Sequence, residues 1–377
     1  MVQWRPSVRR ARMNQESLRR EIFQIAALII VALVAFFATR AVAAHSRRTS
    51  IADAAEWYAR GQRELAAGNS GAAVDAFQRA TSKNRGERAY RLALAHALEL
   101  GGDAPAAERT LLALRESAPE DSEVNLELGR LAASRTDLDD ALRYYRNALY
   151  APSAAADART RRAVRLELIQ LLLAHDDRSH ALAELLAAAA DSPNDVASAI
   201  ELGRLLGQAG DDRRAADQFA RALRLDSRNV DALIGAGTAA FHLGRYMDAR
   251  RYLRAAAQGD GGDGAGDLLA VADLIVAGDP LGPRLGSAER QHRLLEALQA
   301  VKRRLDACSP SDEIQMIAQE VDIFAAHLRP RDRGDADVLD VGLALVDRAE
   351  QAASRCGEAS PLDRALVLIA RLHGAAG

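Results

Sequence analysis

Between Ala54 and Asp263 the apolar and small positions recur with a helical period inside each segment and a 34-residue period between segments. Units beginning at Ala54, Arg88, Ser122, Arg162, Val196 and Val230 follow one another at 34, 34, 40, 34 and 34 residues. The twentieth position is alanine in every unit: Ala73, Ala107, Ala141, Ala181, Ala215 and Ala249. A small residue recurs at the eighth position, as Gly61, Ala95, Gly129, Gly203 and Gly237, and at the twenty-seventh, as Ala80, Ala148, Ala188, Ala222 and Ala256. The twenty-fourth carries a large apolar residue: Phe77, Leu111, Tyr145, Leu185, Phe219 or Leu253. Small positions let helix axes approach and the large one fills the space between neighbours. Gly68, Gly102, Gly210 and Gly244 stop a helix mid-unit, and Asp103 and Asp211 are placed to cap the next. Each unit is predicted to be helix, tight turn, helix.

Trp57, Gly61, Gly68, Ala73, Phe77 and Ala80 in the first unit, with Pro119 and Pro193 closing later ones, resemble the tetratricopeptide repeat, over residues 54–263. The pattern departs from that family at Ile169 (eighth position) and Leu114 (twenty-seventh), where looser or shifted packing is expected, and in the extra residues of Pro152–Asp157. The resemblance implies an all-α fold, a right-handed α-solenoid, with six repeats at 54–87, 88–121, 122–155, 162–195, 196–229 and 230–263. It also implies that first helices line a groove for a protein or peptide partner. Carried over to this chain, position five contributes Tyr58, Leu92, Leu126, Leu166, Ile200 and Ile234, an apolar column. Position nine contributes Gln62, His96, Arg130, Gln170, Arg204 and Thr238, a polar one. Members that clamp a terminal carboxylate use lysine and asparagine there; the aromatic or aliphatic residues at position five argue against that specificity here.

From Ile22 to Thr39 no residue is charged, and at 1.5 Å per residue these 18 positions reach about 27 Å, close to a bilayer's hydrocarbon thickness. Arg5, Arg9, Arg10, Arg12, Arg19 and Arg20 precede the stretch, against Arg40, Arg47 and Arg48 after it. The expected plan is a basic cytoplasmic tail at 1–21, a single-pass inner-membrane signal-anchor at 22–44, and repeats facing the periplasm. A cleaved secretory signal is the rival reading, because Ala41-Val42-Ala43 offers small residues; the length of the apolar run and Arg40 weigh for an uncleaved anchor.

Beyond the repeats, GDGGDGAG at 259–266 breaks the pattern. Residues 264–286 are expected to form a capping helix around Leu268–Ile275 and a loop, since a solenoid end needs cover. Residues 287–377 are expected to form two helical hairpins. Their first two helices carry Leu294, Leu298, Val301 and Leu305, then Ile314, Ile317, Val321 and Phe324. A third runs near Val338–Arg355, and the last starts at Ser360-Pro361-Leu362-Asp363. Cys308 and Cys356, the two cysteines, each end the first helix of a hairpin. Either a disulfide or two unlinked thiols fits that placement.

Chemistry is sparse. With 50 basic against 52 acidic residues there is no nucleic-acid signature. Gly259–Gly264 has the letters of a dinucleotide fingerprint but follows a repeat helix rather than a strand. Asp260, Asp263 and Asp267 lack calcium-loop spacing. His175 and His180 read as turn residues with no third zinc ligand, and no nucleophile elbow occurs. No catalytic residue, metal site or cofactor is expected. The sequence points to a membrane-anchored adaptor for envelope assembly, secretion or quality control. The alternative is a structural component of a polysaccharide-export or envelope-synthesis complex.

Overall fold

The computed structural model describes residues 8–151, 158–259, 262–309, 311–329 and 335–374. Among these residues the regular elements are all helical: α1 (Val8–Ala66), α2 (Ser70–Lys83), α3 (Arg88–Leu100), α4 (Ala104–Ser117), α5 (Ser122–Ser134), α6 (Leu138–Tyr150), α7 (Ala158–Ala174), α8 (Arg178–Ala190), α9 (Val196–Gln208), α10 (Asp212–Leu225), α11 (Val230–His242), α12 (Tyr246–Ala257), α13 (Gly266–Gly278), α14 (Ser287–Asp306), α15 (Asp312–His327), α16 (Ala336–Ala353) and α17 (Pro361–Gly374), with a short 3-10 turn at Gly262–Ala265. The chain forms two compact units, Met1–Val164 and Arg165–Gly377.

The repeat chemistry acts as its spacing demands. All six alanines at position twenty are at most 1% exposed. A side chain built on the eighth-position glycines would strike the large residue at position twenty-four of the same unit: Gly61 meets Phe77 at 2.5 Å, Gly203 meets Phe219 at 2.9 Å and Gly237 meets Leu253 at 2.6 Å. Glycine is therefore the residue that allows these helix pairs to close. Where Ile169 replaces it, both Ile169 and its opposite number Leu185 are fully buried, so the fourth unit accommodates the larger pair rather than leaving it exposed. Leu114, at the twenty-seventh position, is likewise buried.

Turns between paired helices need a left-handed residue, and Gly68, Gly102, Gly210 and Gly244 take φ values of +80, +83, +85 and +72. In the third and fourth units Thr136 (φ 61) and Asp176 (φ 57) occupy the same position with a side chain attached. An aspartate then caps the second helix: Asp103, Asp137, Asp177 and Asp211 accept from the backbone N–H of Ala106, Asp140, His180 and Arg214. The extra residues before Arg162, Pro152–Asp157, where the pattern departs from the family, lie outside the described residues.

In the first unit, α1 runs unbroken for 59 residues from the basic N-terminal segment through the apolar stretch into the first repeat. No glycine or proline falls between Pro6 and Gly61, so nothing in the sequence interrupts it. Its apolar stretch has a mean hydropathy of 2.5 and is 0% buried, which is long and apolar enough to cross a membrane by length and composition. The helix is already docked at Ser50, whose hydroxyl donates to the Lys83 carbonyl at 2.8 Å. The first repeat thus gains support from residues ahead of Ala54.

In the second unit the helix expected near Leu268–Ile275 is α13, which buries Val271, Ala272 and Ile275 and packs on α12 and α17. The two hairpins, α14–α15 and α16–α17, share one core with it, centred on Leu294, Leu298, Val301, Leu343 and Val346. Ser360 and Asp363 form the expected reciprocal cap, Ser360 N–H to Asp363 Oδ2 at 2.8 Å and Asp363 N–H to Ser360 Oγ at 3.3 Å. Cys308 and Cys356 are joined by a disulfide, with Cα atoms 5.2 Å apart, tying the end of α14 to the end of α16.

Candidate functional site

The residues placed in a groove by their repeat positions fall on α1, α3 and α5 of the first unit and on α7, α9 and α11 of the second. Their exposure is uneven. Leu126 is 8% exposed and belongs to the core, unlike the rest of the expected apolar column. Tyr58 is half-buried and packs its ring 4.8 Å from Tyr90 and 5.6 Å from Phe77, so it has a packing role beside any contact role. Gln62, His96, Gln170 and Arg204 are exposed; Leu92, Arg130, Leu166, Ile200, Ile234 and Thr238 are intermediate.

In the first unit Tyr58, Leu92 and His96 line a hollow of about 270 Å³ with Arg88, Glu123 and Glu127. Arg88 is engaged there, donating from Nη2 to Asp121 Oδ1 at 2.6 Å and to Glu123 Oε2 at 2.7 Å. That pairing holds the Asp121 carboxyl below its ordinary pKa against the opposing effect of burial. Arg130 does not reach freely into the hollow, because its Nη1 donates to Glu127 at 2.8 Å. Burial nevertheless pushes the Glu127 carboxyl above its ordinary value, with the positive charge of Arg130 opposing the rise. His96, Glu99 and Glu127 bring one ligand atom each to within 4.8 Å of one another. Spacing alone does not reveal this group, since Glu127 comes from the next unit.

The second unit holds the more open site. Ile200, Arg204, Ile234 and Thr238, all four named from repeat position, line a single cavity of about 380 Å³ between α9 and α11. Its floor is Phe219, 6% exposed, held between Gly203 and Gly235. Its rim carries Arg204, Gln208, Asp212, Asp231 and His242. His242 Nδ1 lies 3.0 Å from Asp212 Oδ1, whereas Arg204 and Asp231 take part in no ion pair among the described residues. Gln170 lines a separate polar hollow with Asp176, Arg178 and Gln208, and Leu166 lines neither.

Seven lining residues of the main cavity, Gly207, Gln208, Asp212, Asp231, Gly235, Ala239 and His242, lie outside the repeat positions named from sequence. For the two glycines a signal existed: glycine inside a helix costs roughly 0.5–1 kcal/mol against alanine, and α9 and α11 each hold a glycine beyond the one at position eight.

His175 and His180, read as turn residues, serve the turn between α7 and α8, His175 Nδ1 with the Leu171 carbonyl and His180 Nδ1 with Asp177. The glycine-rich segment leads into a 3-10 turn and α13 with no strand among the described residues; Asp260 and Gly261 lie outside them. Near the disulfide, Glu350 is 2% exposed, pairs with Arg304, and is pushed up to about 7 by burial.

The tetratricopeptide repeat family model matches residues 58–122 and 200–264; the second stretch contains the whole lining of the larger cavity, and the first contains that of the first-unit hollow apart from Glu123 and Glu127. A sequence comparison with curated proteins gives no match. Among solved structures the chain is similar to YrrB, described as a TPR protein with an unusual peptide-binding site (19% identity, 53% of this chain and 98% of that one, TM-score 0.42). It is also similar to PilW, described as a type IV pilus biogenesis factor (18% identity, 57% of this chain and 96% of that one, TM-score 0.41). A third is the C-terminal part of a TPR repeat-containing protein from Cytophaga hutchinsonii (11% identity, 80% of this chain and 100% of that one, TM-score 0.44). The buried alanine at position twenty, the glycine turns and the family-model matches in both units together mark an all-α chain that carries tetratricopeptide repeats at residues 58–122 and 200–264.

Proposed function

We propose that this protein is a membrane-anchored adaptor that captures a protein or peptide partner on the first-helix faces of its repeats and acts by binding alone. The observation that carries the reading is the convergence of Ile200, Arg204, Ile234 and Thr238 on one open cavity with an apolar floor. A surface built only for packing would fill that space. An extended segment suits it, with side chains entering the apolar part and Thr238 and Gln208 available to hydrogen-bond the backbone.

The anchor is the apolar part of α1, whose exposed face includes Phe23, Leu28, Ile30 and Val34. Six arginines precede it and three follow before Ser50, which favours an N-terminus in the cytoplasm and repeats outside it. A disulfide between Cys308 and Cys356 suits an oxidising compartment such as the periplasm. Anchoring raises the local concentration of the binding face at the bilayer.

The test is a pull-down from envelope extracts, with the captured chain identified by mass spectrometry. Arg204→Glu should abolish its recovery, and Arg224→Glu, on the exposed side of a second helix, should leave it intact. Equal recovery with both variants would overturn the assignment of the face. Arg130→Glu is the weaker probe, because Arg130 is already engaged by Glu127.

A further inference from the structure

Two glycines that the repeat pattern does not require, Gly207 and Gly235, line the cavity between α9 and α11. At the twelfth position of each unit stand Leu65, Glu99, Ala133, Leu173, Gly207 and Phe241, so only the fifth unit omits a side chain there. Gly203 and Gly237 are explained by close approach to Phe219 and Leu253, and Gly235 by the Phe219 ring, which a side chain would meet at 2.2 Å. Gly207 is different. A Cβ built on it would have Ala215 Cβ at 4.0 Å as its nearest neighbour, so its helix-weakening cost is offset by no contact within the chain. The space it leaves is part of the cavity, and an apolar hollow of about 380 Å³ falls in the range that receives a ligand group.

Two charges at the rim lack partners. Arg204 on α9 and Asp231 on α11 form no ion pair among the described residues, while Asp212 is occupied by His242. Resting on the adaptor reading above, we infer that this cavity is an anchor pocket for an extended peptide. Its ligand carries one large apolar side chain between Gly207 and Gly235, flanked by an acidic residue facing Arg204 and a basic residue facing Asp231. Phe219 supplies the floor against which the anchor packs, and Ile200 and Ile234 supply the walls. The opposite rim charges fix the direction of the chain, since reversing the peptide places like charges together.

The experiment selects displayed random decapeptides against the full chain in detergent and measures synthetic versions of the enriched peptides by fluorescence anisotropy. The expected peptides share one bulky apolar position with an acid on one side and a base on the other. Burying such a side chain is worth enough that alanine at that position weakens binding by about tenfold or more. Gly207→Leu fills the pocket, and its Cβ comes no closer than ordinary van der Waals contact to Ala215, so it should weaken binding to the same degree with the melting temperature unchanged or raised. Arg204→Glu, on an exposed side chain, should exchange the acidic preference for a basic one. Enriched peptides without a bulky position, or full affinity in Gly207→Leu, would overturn the inference. If such peptides still respond to Arg204→Glu, only the anchor pocket fails and the adaptor reading stands; if no peptide is enriched and no partner is recovered, both fall.

Discussion

Replacing Leu253 with alanine tests whether the eighth and twenty-fourth positions form one packing unit. Leu253 is fully buried, and its Cγ lies 2.6 Å from where a Cβ on Gly237 would stand. Truncation removes three buried carbons and leaves a cavity that the bare backbone opposite cannot fill, so a loss of about 3–5 kcal/mol is expected. Gly237→Ala alone brings two opposing terms. The substitution gains roughly 0.8–1 kcal/mol of helix propensity and costs about 1–3 kcal/mol through overlap with Leu253. The net effect is a loss of up to about 2 kcal/mol. In the Leu253→Ala background the overlap is gone, and the same substitution should stabilise by about 1 kcal/mol. The coupling energy is therefore the overlap term itself, about 2 kcal/mol, with a change of sign between backgrounds. Urea unfolding of the full chain in detergent, followed by circular dichroism, gives the four midpoints, and an unchanged slope certifies the comparison. Effects that add to within about 0.5 kcal/mol would refute the packing argument.

Four further outcomes follow from particular residues. Thr136→Gly should raise stability by about 1 kcal/mol by relieving a β-branched residue at φ 61, and Gly244→Ala should lower it by about 1–2 kcal/mol; the reverse ranking in thermal melts would contradict the turn assignment. Glu350 titrates near 7 when folded against an ordinary 4.5, so the folded state holds its proton longer. Stability should fall by an order of 2–3 kcal/mol as pH rises from about 4.5 to 7, and Glu350→Gln should flatten that slope in melts recorded across the range. Reducing the Cys308–Cys356 bond, or replacing both cysteines with serine, should cost up to about 4 kcal/mol, given the 48-residue separation; an unchanged melting temperature would show that the bond constrains nothing. Moving the family of changes to the surface, Arg224→Glu should leave the melting temperature within about 1 °C of the parent, since an exposed substitution away from any packing contact costs little.

The fold was legible because the repeat uses few residue types for fixed tasks. Alanine at position twenty and glycine at position eight report helix contact directly, and the first can be read without knowing where the helix points. The left-handed residue in the turns of the third and fourth units was not legible, because Thr136 and Asp176 carry no glycine signal. The continuity of α1 was hidden for a related reason. A repeat boundary at Ala54 marks where the pattern begins, and it says nothing of a helix that starts earlier when no residue breaks it. At the face, four residues named from repeat position, Ile200, Arg204, Ile234 and Thr238, line one cavity. Repeat position could not tell Leu126 from its column mates, since burial depends on neighbouring helices that it does not specify, nor show that Arg130 is engaged by Glu127. Part of the hollow is the space that Gly207 leaves, and a pattern of occupied positions does not record an absence.

The most direct test of the central claim, that first helices and not second helices meet the partner, is photocrosslinking in growing cells. A photoreactive residue at Thr238, in the cavity of α11, should trap one defined protein, and the same residue at Leu225, exposed at the end of α10, should trap none. An adduct from Leu225 with none from Thr238 would contradict the account.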